Sequence, residues 1–437
     1  MQTWKTYSPT KQSQWNARRV AHLHRRAVFG LTASELNRDV NSSPEESVSR
    51  IVAGEGRDGT PAEFEDLANV IGEAAAGQEE ATRLKAWWIY RILFSPDPLT
   101  ERLTFMWHNH FATSNGKVKN LLQIKTQNQT LRTHSRGEFG TLLNSMLCDP
   151  ALLRWLDAPT NRKGRPNENL GRELLELFTL GVGNFVEADV KNASRALTGL
   201  RIKDREYHFD PKRHDGDAKT ILGETRDFGP DQLTELLLSK PATARRIADK
   251  LIAEFFAPQV VSTEARNELA SQLMASKLNI GQAVETILRS DLFFSEANIN
   301  KRIADPLSFL IAPLRSLEVC DSAPKTLWLA DWLRRMGLDL FYPPNVAGWP
   351  GGRNWMTTRA VIARSNYCAA LLSGELHQNP NPPNLDQLGK KHNATESKKF
   401  ASLMQTLLLG DEIENDQQKT NPEFLSTLMT GPKIHLH

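Results

Sequence analysis

Four stretches of the sequence gather side chains able to do chemistry. The first is Trp107-His108-Asn109-His110-Phe111, two imidazoles set among large aromatic residues. Desolvation keeps an imidazole neutral, and the neutral ring is the form that ligates a metal. Two positions apart, His108 and His110 point about 200° away from each other on a continuing helix, whereas on an extended chain they share a face. A joint metal site therefore requires the helix to end near Trp107. Otherwise the rings cap a helix and bond to neighbours in an aromatic core.

The second stretch runs from Asn161 to Gly183 and contains Pro166-Asn167-Glu168-Asn169 followed by Arg172-Glu173-Leu174-Leu175-Glu176-Leu177. Pro166 and Asn167 suit a helix start, and Gly181 suits its stop. Asn169, Glu173 and Glu176 fall on one helical stripe beside an apolar stripe of Leu170, Leu174 and Leu177. The two glutamates either face solvent or turn inward, where they need a cation, with Arg172 and Arg195 available. The third stretch, Tyr207 to Lys219, holds His208, His214, Asp210, Asp215 and Asp217 on a charged loop, a place where function is often carried and where charge is often only solvated. In the fourth, Pro343 to Trp355, prolines and glycines stiffen an irregular backbone. Trp349, Arg353 and Trp355 there offer stacking and anion-binding surfaces, or a tightly packed structural loop.

The elements that must position these groups are helical. Apolar residues recur at helical spacing, with helices expected over 99–111, 168–180, 188–198, 231–239, 241–256, 305–318, 357–373 and 398–409, while sustained Val, Ile and Thr alternation is scarce. The fold class expected is mainly α: a large irregular multi-helix domain with minor β hairpins and long ordered loops. Residues 1–375 read as a helical core domain. Residues 376–398, polar and proline-rich, read as a linker to a small helical C-terminal appendage at 399–437.

With 54 Lys and Arg against 51 Asp and Glu, the net charge of +3 leaves no basic excess for a nucleic-acid binder. Hydrophobic residues at 40% and charged residues at 24% fit an ordinary folded protein rather than a disordered one. Cys148, Cys320 and Cys368 form no CxxC pair, so neither a Cys-based zinc site nor a disulfide framework is expected. No apolar window approaches about 18 residues, which argues against a membrane span. The N-terminal stretch is positively charged without the apolar run of a signal peptide, and the expected location is cytoplasmic. P-loop, GxGxxG, HExxH, GxSxG and EF-hand patterns are all missing.

Taken in order, the motifs resemble the bacterial family known as domain of unknown function 1800. The resemblance rests on Arg25-Arg26-Ala-Val-Phe29-Gly30, on Pro98-Leu99-Thr-Glu101-Arg102 running into Trp107 to Phe111, and on Asp149-Pro150-Ala151 with Leu156-Asp157. It continues through Asn167 to Leu177, Ala193 to Gly199, His214-Asp215, Lys250-Leu251, Asp305-Pro306 and the Pro343 to Pro350 loop, so that about residues 15 to 372 are covered. The family brings no assigned activity. Relatives commonly carry histidine where Phe178 stands and tryptophan in place of Leu200. Many look exported and are encoded beside a phosphatase- or sulfatase-like companion, the partner the resemblance implies.

Two functional readings follow. In the first, His108, His110, Glu173, Glu176 and His214 surround a divalent ion such as Zn, Mn or Fe. Glu168 or Asp215 then acts as general acid or base, Arg172 orients an anionic substrate, and the reaction is a hydrolysis. In the second, the polar set is a self-satisfied network locking a helical scaffold, which binds a partner protein or a glycan through the loop carrying Trp349, Arg353 and Trp355.

Overall fold

Proline and short polar caps start most of the helices. Asp97 caps the Pro98–His110 helix by accepting from Thr100 N–H, and Pro230, Pro241 and Pro306 each stand in a first helical turn, where a missing N–H costs nothing. A computed structural model of the chain describes residues 3–55, 57–77, 80–319, 325–376, 382–411 and 422–437. It is 60% helical, and its strands form two small antiparallel hairpins: Leu200–Lys203 with Glu206–Phe209, and Lys219–Ile221 with Glu224–Arg226. The expectation of a mainly α protein with minor hairpins holds. Among the described residues no helix is long and apolar enough to cross a membrane.

Two apolar clusters make the core. One gathers Leu103, Trp107, Phe111, Phe139, Leu174 and Phe178 with the helices that follow to residue 288. The other gathers Trp87, Trp88, Leu310, Phe341, Trp349 and Tyr367. The Pro98–His110 helix serves both: Leu99, Leu103, Met106 and Trp107 enter the first cluster and Phe105 the second.

Charge on this helix is buried as well. Glu101 accepts from Arg132 at 2.7 and 3.0 Å, from Arg91 at 3.2 Å and from Trp88 Nε1 at 3.0 Å, and these donors hold its carboxyl below the usual range against the opposing effect of burial. Arg102 donates to Glu254, Asp305 and Ser308 and stacks 3.8 Å above the Phe29 ring. Buried ions tolerate this only when paired from several sides.

The expected appendage is corrected by the packing. The Ser397–Leu409 helix lies against the Ala17–Ala27 and Pro306–Ser316 helices, and Phe400, Met404, Leu407, Leu425 and Met429 belong to the second core cluster. Arg25 fixes this region by donating to the carbonyls of Leu409 (2.7 Å) and Leu436 (2.6 Å). Leu376, Leu388 and Ala394 of the expected linker also join the second cluster, which so few apolar residues in a polar stretch did not signal. Within that expected linker a helix spans Leu385–Lys391, and residues 377–381 fall outside the described residues, as does Cys320.

Candidate functional site

The Pro98–His110 helix continues through both histidines, so the condition for a shared metal face fails and the rings diverge. His108 points into the second cluster, edge-on to Trp88 (5.2 Å) and Phe341 (5.5 Å), and its Nε2 accepts the Phe341 N–H at 3.3 Å. Burial drives its pKa down to about 3, so the ring stays neutral with its proton on Nδ1. His110 points into the first cluster among Phe111, Phe139 and Phe178, and its Nε2–H donates to the Phe178 carbonyl at 3.2 Å. Burial, with Lys250 and Arg246 adding positive charge nearby, holds its pKa well below the usual value.

Between them Asn109 grips the backbone of Trp349 on both sides. Its Oδ1 accepts the Trp349 N–H at 2.7 Å and its Nδ2 donates to the Trp349 carbonyl at 3.2 Å. Gly348 makes the approach possible: its φ is +78°, and a Cβ there would collide with the Asn109 side chain. Asn115 extends the contact by donating its backbone N–H to Phe341 O at 2.8 Å and its Nδ2 to the Tyr342 hydroxyl at 2.9 Å. Three consecutive side chains thus lock three backbone segments.

The glutamate helix is α-helical over Asn169–Glu173 and a π-helix over Leu174–Thr179. The wider π turn shows in Leu180 N–H bonding back to Leu175 O (2.9 Å) and in the Thr179 hydroxyl bonding to Leu174 O (2.6 Å). Carbonyls near its end take side-chain donors: Arg246 Nε reaches Leu177 O at 3.2 Å, and His110 reaches Phe178 O. Phe178 packs against His110, with ring centres 5.8 Å apart. Gly171 lets this helix touch the Glu187–Ala196 helix, since a Cβ there would strike Ser194.

Glu173 and Glu176 are half-buried, and neither carboxylate takes a hydrogen bond or ion pair among the described residues. Burial, then the nearby charge of Glu176, raises the Glu173 pKa. Near the start of the same helix Asn169 Nδ2 donates to Asp157 (3.3 Å), which is ion-paired with Lys117 at 2.8 Å. Asp157 holds a left-handed backbone at φ +57°. Asn109, Lys117 and Asp157 were not singled out as site residues from the sequence. The signal for Asn109 was its place between two histidines, because an amide alone offers a donor and an acceptor to one peptide unit.

The remaining groups are tied elsewhere. Arg172 bridges Glu168 (3.1 Å) and Glu187 (2.8 Å), and its bond to Glu187 is the main cause of its raised pKa. Asp215 pairs with Arg195 at 2.7 Å, which chiefly lowers its pKa. His214 Nδ1–H donates to Thr198 O at 2.9 Å. The proposed ion therefore does not find its ligands together: among the described residues, no three His, Cys, Asp or Glu side chains are placed to hold one ion, and His108, His110, Glu173, Glu176 and His214 do not fit a single metal. Trp349 and Trp355 are each only 7% exposed, so of the three loop residues only Arg353 presents itself to solvent. The indoles fill the second core cluster in place of forming a surface.

The molecule is a mainly helical body in which the backbone at Phe341, Trp349 and Phe178 meets the end of the Pro98–His110 helix. The chain matches the family described as Protein of unknown function (DUF1800) over residues 22–433 and belongs to that family. No curated protein and no solved structure matches it.

Proposed function

We propose that the protein is a non-catalytic helical scaffold that binds a partner protein. The supporting observation is that His108, Asn109 and His110 are engaged with the backbone at Phe341, Trp349 and Phe178. Arg172, Asp215 and His214 are likewise held by neighbours, so these three do not form a shared acid, base and orienting group. Binding moves from the tryptophan loop to the face beside the π-helix. There Val182 and Val186, 78% and 64% exposed, follow in sequence the helix that carries the unpaired Glu173 and Glu176. The phosphatase- or sulfatase-like companion implied by the family resemblance is the proposed partner. Co-elution of the two purified proteins on a sizing column tests this: a complex weakened by Val182→Asp supports it, and separate elution at micromolar concentrations overturns it.

One observation favours the hydrolase reading as a second proposal. Glu173 carries a raised pKa beside a second carboxylate, the pattern of a general acid paired with a base. Retention of hydrolytic activity on aryl phosphate and sulfate esters in Glu173→Gln would count against it, and so would the absence of activity in the parent chain.

A further inference from the structure

The Thr326–Arg335 helix buries Leu329, Ala330 and Leu333, exposes Trp328 and Arg335, and leaves Asp331 and Trp332 half-buried on the same stripe, with Trp332 packed against the second cluster. An outward stripe normally carries polar residues. Here it carries two indoles one helical turn apart, and Trp328 remains 45% exposed. Together with Glu375 and Leu376 they line an open cleft of about 260 Å³.

The aromatic groups are fixed in place. Trp332 packs against Tyr367, with ring centres 6.0 Å apart, and the Tyr367 hydroxyl is anchored on Leu310 O at 2.7 Å. Lys325 Nζ lies 4.1 Å from the centre of the Trp328 ring, and the Arg335 guanidinium 4.9 Å from that of Trp332. Each cation lies within cation–π range of its indole, a modest attraction at an exposed site. The polar groups between the indoles are fixed too: Asp331 accepts from Arg334 and Arg335, each at 2.6 Å. The Glu375 carboxylate takes no hydrogen bond or ion pair among the described residues.

From this arrangement we propose that the cleft is a saccharide subsite. The C–H face of a pyranose ring stacks on indole, and the hydroxyls at its rim need donors and acceptors at fixed positions, which Arg335, Asp331 and Glu375 provide. The cleft falls below the roughly 300–1,000 Å³ typical of sites that enclose drug-sized ligands, so it holds a short stretch of sugar at a wet surface. A stable protein interface needs about 800 Å² from each partner, far more than this stripe presents. The site is separate from the π-helix face proposed for the partner protein, and either proposal can fail alone.

The test is saturation-transfer NMR on the full chain with cellotetraose, chitotetraose and mannotetraose. At least one should receive transfer to its ring C–H protons, with a dissociation constant on the order of 1 mM. That transfer should vanish in Trp328→Ala, fall several-fold in Glu375→Ala, and persist in Arg353→Ala, whose side chain lies outside the cleft. No transfer to any of the three at about 10 mM, or equal transfer in Trp328→Ala, overturns the proposal.

Discussion

The Asn109 amide forms a two-point bond with the peptide of Trp349, at 2.7 Å to its N–H and 3.2 Å from its carbonyl, across 240 residues of sequence. The contact makes the histidine-rich segment a clasp for the proline loop. Asn109→Ala should lower stability by about 2 kcal/mol, since two bonds are lost and a backbone pair is left unsatisfied. The emission of Trp349 should shift to the red as its surroundings admit water. Unchanged urea denaturation would show that the clasp contributes nothing.

Gly348 is the second half of the same contact. Gly348→Ala adds a methyl group that meets Asn109 and demands a backbone that alanine seldom adopts, at φ +78°. A drop in the thermal midpoint larger than that of Asn109→Ala is expected. In the double variant the combined loss should be smaller than the sum, because both act on one contact.

Glu173 links stability to pH. Its folded-state pKa is raised, by burial first and Glu176 second, so the folded chain holds a proton over a window in which the unfolded chain has lost it. Stability therefore falls as pH rises through that window. Glu173→Gln should raise the thermal midpoint at neutral pH, and the gain should disappear on acidification below about pH 4. Melting curves across this range check the sign.

Asp149 behaves in the same direction, with burial again the leading cause. It caps the Pro150–Trp155 helix by accepting Leu152 N–H at 2.7 Å and also accepts from Gln127 at 2.6 Å, but among the described residues no cation pairs with it, and burial pushes its pKa up to about 7. Between its ordinary value of 3.8 and about 7 the folded form alone keeps the proton, so stability declines across that interval. Asp149→Asn preserves the cap acceptor and should flatten this decline. Persistence of the same slope in the variant would assign it to other groups.

Much of the fold could be read from periodicity and breakers, including the helices that begin at Pro98, Pro230, Pro241 and Pro306. The Leu121–Thr133 helix was not expected, because part of its buried face is polar: Gln123, Lys125, Gln127 and Asn128 are all buried. Apolar periodicity cannot see such a face. The π-helix escaped for a related reason, since an i to i+5 turn has no residue pattern of its own. The four chemical stretches were visible by composition. Their roles depended on where one helix ended, and the Pro98–His110 helix ends three residues beyond Trp107, which sends the two histidines into different cores.

Bound metal, counted per chain by mass spectrometry after equilibration with zinc, manganese and iron salts and removal of excess ion, tests the clasp account most directly. The account predicts that His108→Gln and His110→Gln lower thermal stability while leaving the metal content of the chain unchanged. Stoichiometric metal in the parent protein that is lost in either variant would contradict it.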